Sequence, residues 1–147
     1  MTLYEAIDKA DSLYPNMFTT TQKIEWLSQI DNQAYEEVLL NAKKNWKPAI
    51  TIETIDGVEV EKEDPQRLVP AFEFEGYDET TPEETPLLMD DLYASAYVDF
   101  LISRMEYYNH EVAASNNAIT VFNGKYSSWA AWYRRKYEPI RRKVMKI

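Results

Sequence analysis

The residues best suited to chemistry in this chain surround its one histidine, His110. Glu106 lies one helical turn before it and Glu111 lies beside it, so an imidazole and two carboxylates fall within one short stretch. A metal site needs more ligands than these, and a general base needs a nucleophile and an orienting partner, which the sequence does not place nearby. We therefore interpret His110 as a solvated histidine at a helix junction.

The other patterns that support catalysis are missing as well. The three glycines, Gly57, Gly76 and Gly124, are too scattered to form a phosphate-binding or dinucleotide-binding loop. The acids between positions 53 and 91 lack the spacing of a calcium loop, and the absence of cysteine removes thiol chemistry and thiolate metal sites. The sequence predicts a protein that is not an enzyme, with no catalytic residue, cofactor or metal. An enzyme with an unrecognised carboxylate pair is the least favoured alternative.

Charge is distributed unevenly along the chain, whose total is -9. The region from Glu53 to Asp91 carries a local charge of -12, and the region from Arg134 to Ile147 carries +6. These regions are either solvated surfaces or complementary surfaces in an assembly, and the sequence leaves both interpretations open. The basic tail at 138–147 supplies four candidate partner-binding residues: Arg141, Arg142, Lys143 and Lys146.

Hydrophobic periodicity predicts four helices, at about 2–14, 20–42, 89–108 and 111–136. Thr19, with a glutamine three residues later, forms a capping box that would start the second helix. The third helix is apolar on more than one face and should be buried on two sides, with a short connection before the fourth. No apolar run approaches the roughly 20 residues needed to cross a bilayer, and the first residues do not resemble a leader peptide, so we expect a soluble protein without a membrane segment.

The chain changes character between the second and third helices. Alternating apolar residues on both sides of Asp56-Gly57 predict a β-hairpin insertion within 48–76. The stretch 68–74 suggests a third strand, which its proline would confine to a sheet edge. The polar, acidic and proline-rich stretch 77–86 predicts a flexible, exposed loop.

Aromatic residues recur at helical spacing along the last predicted helix. Because aromatic side chains bury large areas, this stripe should anchor either the core or a subunit interface. Its members are our candidate interface residues: Phe122, Tyr126, Trp129, Trp132 and Tyr133. The predicted fold is mainly α, a single domain at 1–147. It is a bundle of about four helices with a long aromatic C-terminal helix and a small β-hairpin between helices two and three.

Three patches of this sequence resemble a known family. They are TTTQKIEWLSQIDNQAY at 19–35, the helix at 92–109 that ends in Tyr-Tyr-Asn, and the stretch 116–134 with its paired asparagines and its Trp-Tyr-Arg. With these patches the chain resembles the head-tail connector proteins, also called adaptor or head completion proteins, of long-tailed bacteriophages and related prophages. The patches are packing patterns rather than catalytic signatures.

The resemblance implies a structural virion protein that assembles in the bacterial cytoplasm and resides at the head-tail junction. Copies of such a protein form a ring beneath the portal protein and receive a downstream connector or tail completion protein. DNA would pass through the ring without sequence-specific binding. The alternative is a small helical nucleic-acid or packaging module that uses the basic tail, although the acidic remainder of the chain would repel DNA.

Overall fold

The computed structural model describes residues 1–140. Within them the chain forms four α-helices and one two-stranded antiparallel hairpin, which lies between the second and third helices. The elements are α1 (Leu3–Leu13), α2 (Thr20–Glu37), β1 (Trp46–Ile55), β2 (Val58–Pro70), α3 (Ser95–Tyr108) and α4 (Val112–Lys136). The mainly helical fold, the hairpin insertion and the aromatic C-terminal helix are therefore confirmed.

The predicted capping box starts α2. The Thr19 hydroxyl accepts a hydrogen bond from the Gln22 backbone N–H at 3.2 Å, and the Gln22 side chain accepts one from the Thr19 N–H at 3.0 Å. The helix ends at Glu37, so the predicted end at 42 is wrong. Two short 3-10 turns replace its last turn, and the buried Asn45 amide stabilises them by donating to the Leu39 carbonyl at 2.7 Å.

The predicted connection between α3 and α4 is confirmed at Asn109 and His110. His110 adopts a φ of 62°, a left-handed conformation that reverses the chain direction after a helix. The Glu111 N–H closes the turn by donating to the Glu106 carbonyl at 2.9 Å. Two helices therefore pack side by side where a continuous helix would have extended away from the core.

The core lies around α3, which packs along α4 and also contacts α1 and α2. Tyr97, Leu101 and Met105 of α3 are completely buried along one face of the helix. Ala96 and Val98, on either side of that face, are buried as well, so α3 is buried on more than one face, as predicted. The core cluster draws on all four helices and the segment before α3. Within the described chain it includes no residue of β1 or β2. The helical bundle therefore completes its own core without the hairpin.

The hairpin turns at Asp56 and Gly57, as the sequence predicts. Both residues have positive φ, 52° and 79°, as the tight hairpin turn requires. The strands pair from Ile55 opposite Val58 back to Trp46 opposite Pro70, with a bulge between Pro48 and Ala49. The predicted third strand at 68–74 is wrong, because its first three residues are the end of β2 and the rest forms no strand.

The acidic segment 77–86 is mostly exposed, as predicted, and its backbone is hydrogen-bonded to α1. Its Thr85 and Glu83 carbonyls accept the Leu3 and Tyr4 N–H groups at 2.9 and 3.2 Å. These N–H groups belong to the first turn of α1, where no carbonyl of the same helix can receive them. The backbone of the segment supplies those missing acceptors, a contact that its acidic side chains did not predict.

A close approach at Gly76 fixes the start of this segment. Gly76 has a φ of 93°, and a side-chain carbon added there would lie 2.6 Å from the Ser28 Oγ of α2. The same Oγ accepts the Tyr77 N–H at 2.9 Å. Only a residue without a side chain lets the backbone reach this hydroxyl.

We expect Gly76→Ala to lower the free energy of unfolding by about 2 to 3 kcal/mol, because strain at positive φ adds to the clash with Ser28. Gly57→Ala is the matched control, since Gly57 also has positive φ but has no atom within 4 Å of an added carbon. Strain alone should cost about 1 kcal/mol there. Urea unfolding of both variants measures the difference, and equal losses would contradict the close approach.

None of the helices within residues 1–140 is both long enough and apolar enough to cross a membrane.

Candidate functional site

The aromatic stripe of α4 mostly faces the protein's own core. Phe122, Trp129 and Tyr133 are at most 4% exposed. Trp129 donates its indole N–H to Asp90 at 2.9 Å, and the Phe122 ring packs 5.0 Å from that of Phe100. These three candidate interface residues therefore anchor the core, which was one of the two roles predicted for the stripe.

The other two candidates, Tyr126 and Trp132, are half-buried. The Tyr126 hydroxyl donates to the Glu37 carboxylate at 2.8 Å, and burial together with this carboxylate raises the pKa of Tyr126. Trp132 packs against Tyr93 with ring centres 5.8 Å apart. Each keeps part of its ring at the surface, so the structure leaves these two accessible to a partner but does not join all five candidates into one surface.

Cationic side chains collect where the end of α4 meets the chain after α2. We call this cluster the basic end, and its members are Lys43, Lys44, Arg134, Arg135 and Lys136. The Lys43 N–H donates to the Glu138 carbonyl at 2.8 Å, which joins the two parts. The Lys44 Nζ lies 3.7 Å from the centre of the Tyr137 ring, an arrangement that favours the ammonium group.

The basic end borders an open cleft of about 320 Å³. Arg134 and the apolar surfaces of Tyr137, Pro139 and Ile140 are among the residues that line it. The tail candidates Arg141, Arg142, Lys143 and Lys146 lie outside the described residues. The basic end therefore combines positive charge with an apolar depression of side-chain size.

The hairpin has a face on which apolar and acidic residues form parallel rows. Residues opposite each other in an antiparallel pair share a face of the sheet. Ile50 lies opposite Glu63, Ile52 opposite Glu61, and Thr54 opposite Glu59. We call this surface the Ile-Glu face: one strand supplies two isoleucines and the other supplies three glutamates.

Solvent surrounds most of the hairpin. Every residue from Ile52 to Glu63 is exposed, and Ile50 and Ile52 are 55% and 65% exposed. At the tip, on the opposite face of the ribbon, Ile55 and Val58 are also more than half exposed. Such a group of aliphatic side chains on a protruding element is unusual for an isolated soluble protein and is typical of a surface that a partner covers.

The hairpin forms a sheet of its own. Among the described residues this sheet has two strands, and no third strand extends it. A two-stranded ribbon alone is marginally stable in water. Contact with another molecule would stabilise it.

His110 is exposed at the junction of α3 and α4, where the sequence analysis placed it. Nearby, the Glu111 carboxylate accepts the Tyr14 hydroxyl at 3.0 Å, and burial raises the pKa of Glu106. Among residues 1–140, no group of three or more histidine, aspartate or glutamate side chains is arranged to hold a metal ion. The Glu111 carboxylate joins the start of α4 to Tyr14 at the end of α1.

Asp31, a completely buried carboxylate of α2, was not among the residues predicted from the sequence. It accepts hydrogen bonds from the Tyr97 hydroxyl at 2.5 Å, from the Tyr77 hydroxyl, and from the Leu88 N–H at 3.1 Å. The Tyr97 hydroxyl in turn accepts the Met89 N–H at 2.7 Å. The available signal was an acid directly after Ile30 on the buried face of α2. This carboxylate joins α2, α3 and the segment between the hairpin and α3.

Comparison with known proteins gives no match: no family model fits the chain, and no curated protein or solved structure is significantly similar to it.

Proposed function

We propose that this protein is a structural, non-enzymatic subunit of the head-tail connector of a long-tailed bacteriophage or prophage. The observation that carries the proposal is the projecting hairpin, whose Ile-Glu face is uncovered although the helical core is complete without it. Exposed aliphatic side chains on a domain whose core is already complete are typical of a protein that functions within an assembly. The resemblance of the sequence patches to connector proteins is the reason for proposing a phage connector as this assembly.

A ring of identical subunits requires head-to-tail contacts between two different patches of each copy. This chain carries two such patches, the acidic Ile-Glu face and the basic end. The net charge of -9 would also suit the wall of a DNA channel, because negative charge there prevents DNA from adhering. In this proposal the ring lies beneath the portal protein, and the tail beyond Pro139 contacts the portal.

A phage that lacks this protein tests the function. We expect its lysates to contain DNA-filled heads and separate tails, because the platform that joins them is missing. Electron microscopy of the lysate measures this, and the wild-type gene supplied in trans should restore joined particles. Virions purified from the restored phage should contain many copies of the protein for each portal ring.

Tailed, infectious particles in the absence of the protein would contradict the proposal. If the protein were also missing from purified virions and bound DNA with a steep salt dependence, we would replace the connector proposal with a packaging or nucleic-acid-binding function.

A further inference from the structure

We propose that the Ile-Glu face of one copy docks on the basic end of a second copy of this chain. The inference rests on the proposed ring and identifies the two surfaces that would meet in it. It begins from charge: Glu59, Glu61 and Glu63 form one row on β2, and the basic end offers five cations. Complementary charges of this kind set the register and direction of a protein contact.

Apolar shape supports the same pairing. Ile50 and Ile52 lie beside the glutamate row and are more than half exposed. The cleft of about 320 Å³ at the basic end is lined partly by Pro139 and Ile140, with Arg134 at its border. A contact that places an isoleucine in this cleft brings the neighbouring glutamates to the cations. Both the apolar and the charged parts of the two surfaces then match.

The contact must form between copies rather than within one. The hairpin starts at Trp46, directly after the turn Lys43–Asn45, so its base adjoins the basic end of the same chain. From that base seven residue pairs, Ala49–Asp64 to Ile55–Val58, extend the ribbon by about 20 Å. A paired ribbon cannot fold back over its own base. Each copy therefore offers its hairpin to one neighbour and its basic end to another, which is the arrangement that builds a ring.

Charge reversal tests the contact. The hairpin variant carries Glu59→Lys, Glu61→Lys and Glu63→Lys. We expect it to need at least about tenfold more protein for half-assembly, because like charges then face each other. Native mass spectrometry over a range of concentrations, alone and with the portal, measures assembly. Circular dichroism checks that the variant is folded.

Two further variants make the test specific. The control Glu75→Lys, Glu83→Lys and Glu84→Lys changes the net charge equally at exposed positions outside the hairpin, and it should assemble like the wild type. The second variant adds Lys43→Glu, Arg134→Glu and Arg135→Glu to the hairpin variant in one chain. This reverses both surfaces, so complementarity and assembly should return.

Cross-linking tests the contact directly, because the chain has no cysteine of its own. Glu61→Cys combined with Arg135→Cys should give a ladder of disulfide-linked dimers and larger species under oxidation. Glu83→Cys combined with Arg135→Cys should give far less.

The outcomes separate this inference from the proposed function. If many copies bind the portal but the hairpin variant assembles normally and the Glu61–Arg135 pair does not cross-link, the docking inference is overturned and the connector proposal stands. If copies cross-link through this pair but never assemble on the portal, the docking inference stands and the connector proposal is overturned.

Discussion

Replacing Asp31 with alanine is expected to lower the free energy of unfolding by about 3 to 5 kcal/mol. The wild-type carboxylate accepts hydrogen bonds from Tyr77, Tyr97 and the Leu88 N–H, and the site is closed to solvent. Alanine would leave these donors buried without an acceptor, and each such group is costly. Urea unfolding measures the loss, and a change below about 1 kcal/mol would contradict the role we give to Asp31.

The pH dependence of Asp31→Asn provides an independent check. Burial, the largest influence, raises the pKa of Asp31 above its ordinary value of 3.8, although hydrogen bonds from Tyr77, Tyr97 and Leu88 oppose it. The folded state thus binds this proton more tightly than the unfolded state. The resulting stabilisation is fully present below the ordinary pKa and is lost as the pH rises through the raised one.

The free energy of unfolding of the wild type, relative to that of Asp31→Asn, should therefore be highest in acid and should fall as the pH increases. Taking the difference between the two proteins at each pH removes the contribution of the other carboxylates. A difference that grew with pH would mean that the pKa of Asp31 is lowered in the fold.

Deleting the hairpin should leave the bundle folded and abolish assembly. The variant replaces residues 50–63 with an Asn-Gly turn between Ala49 and Asp64, which lie opposite each other. We expect the free energy of unfolding to change by about 1 kcal/mol or less, because a two-stranded ribbon stabilises itself weakly and the core does not include it. The concentration needed for assembly should rise at least about 100-fold, because the Ile-Glu face is gone.

A shorter deletion is the matched control for this prediction. Placing the Asn-Gly turn between Glu53 and Val60 removes the tip but keeps Ile50, Ile52 and two of the three glutamates. This variant should retain much of its assembly. Urea unfolding and native mass spectrometry on the same samples separate folding from association, and equal loss of assembly in both variants would assign the contact to the tip.

The sequence predicted those elements whose signals are local. Thr19 with Gln22 marked the start of α2, Asp56-Gly57 marked the hairpin turn, and the break at His110 followed from the length of the apolar pattern. Each depends on backbone requirements of a few adjacent residues, so one stretch of sequence is sufficient to identify it.

The features that the sequence did not predict depend on distant partners. Backbone carbonyl groups of the acidic segment accept hydrogen bonds from the first N–H groups of α1. Every residue has such a carbonyl, so the composition of the segment does not predict this contact. Helix α2 ends early because Asn45 bonds the turn after it. Asp31 gave one weak signal, an acid beside Ile30, but its donors lie 46 to 66 residues away.

The candidate site was predictable only in part. Helical spacing identifies the buried face of α4 through residues such as Trp129, but it cannot say whether the same chain or another subunit covers that face. For the hairpin, the sequence predicted the element but not which of its surfaces would be exposed. Its alternating pattern did not predict the exposure of the apolar residues, and in the structure Ile50 and Ile52 are more than half exposed.

The measurement that tests the central claim most directly is the mass of the wild-type protein by native mass spectrometry, alone and after mixing with the portal protein of its own phage. We predict ring-sized species, or a portal complex that carries many copies of this chain. A protein that stays monomeric and does not bind an intact portal would contradict the proposal that this chain forms a head-tail connector.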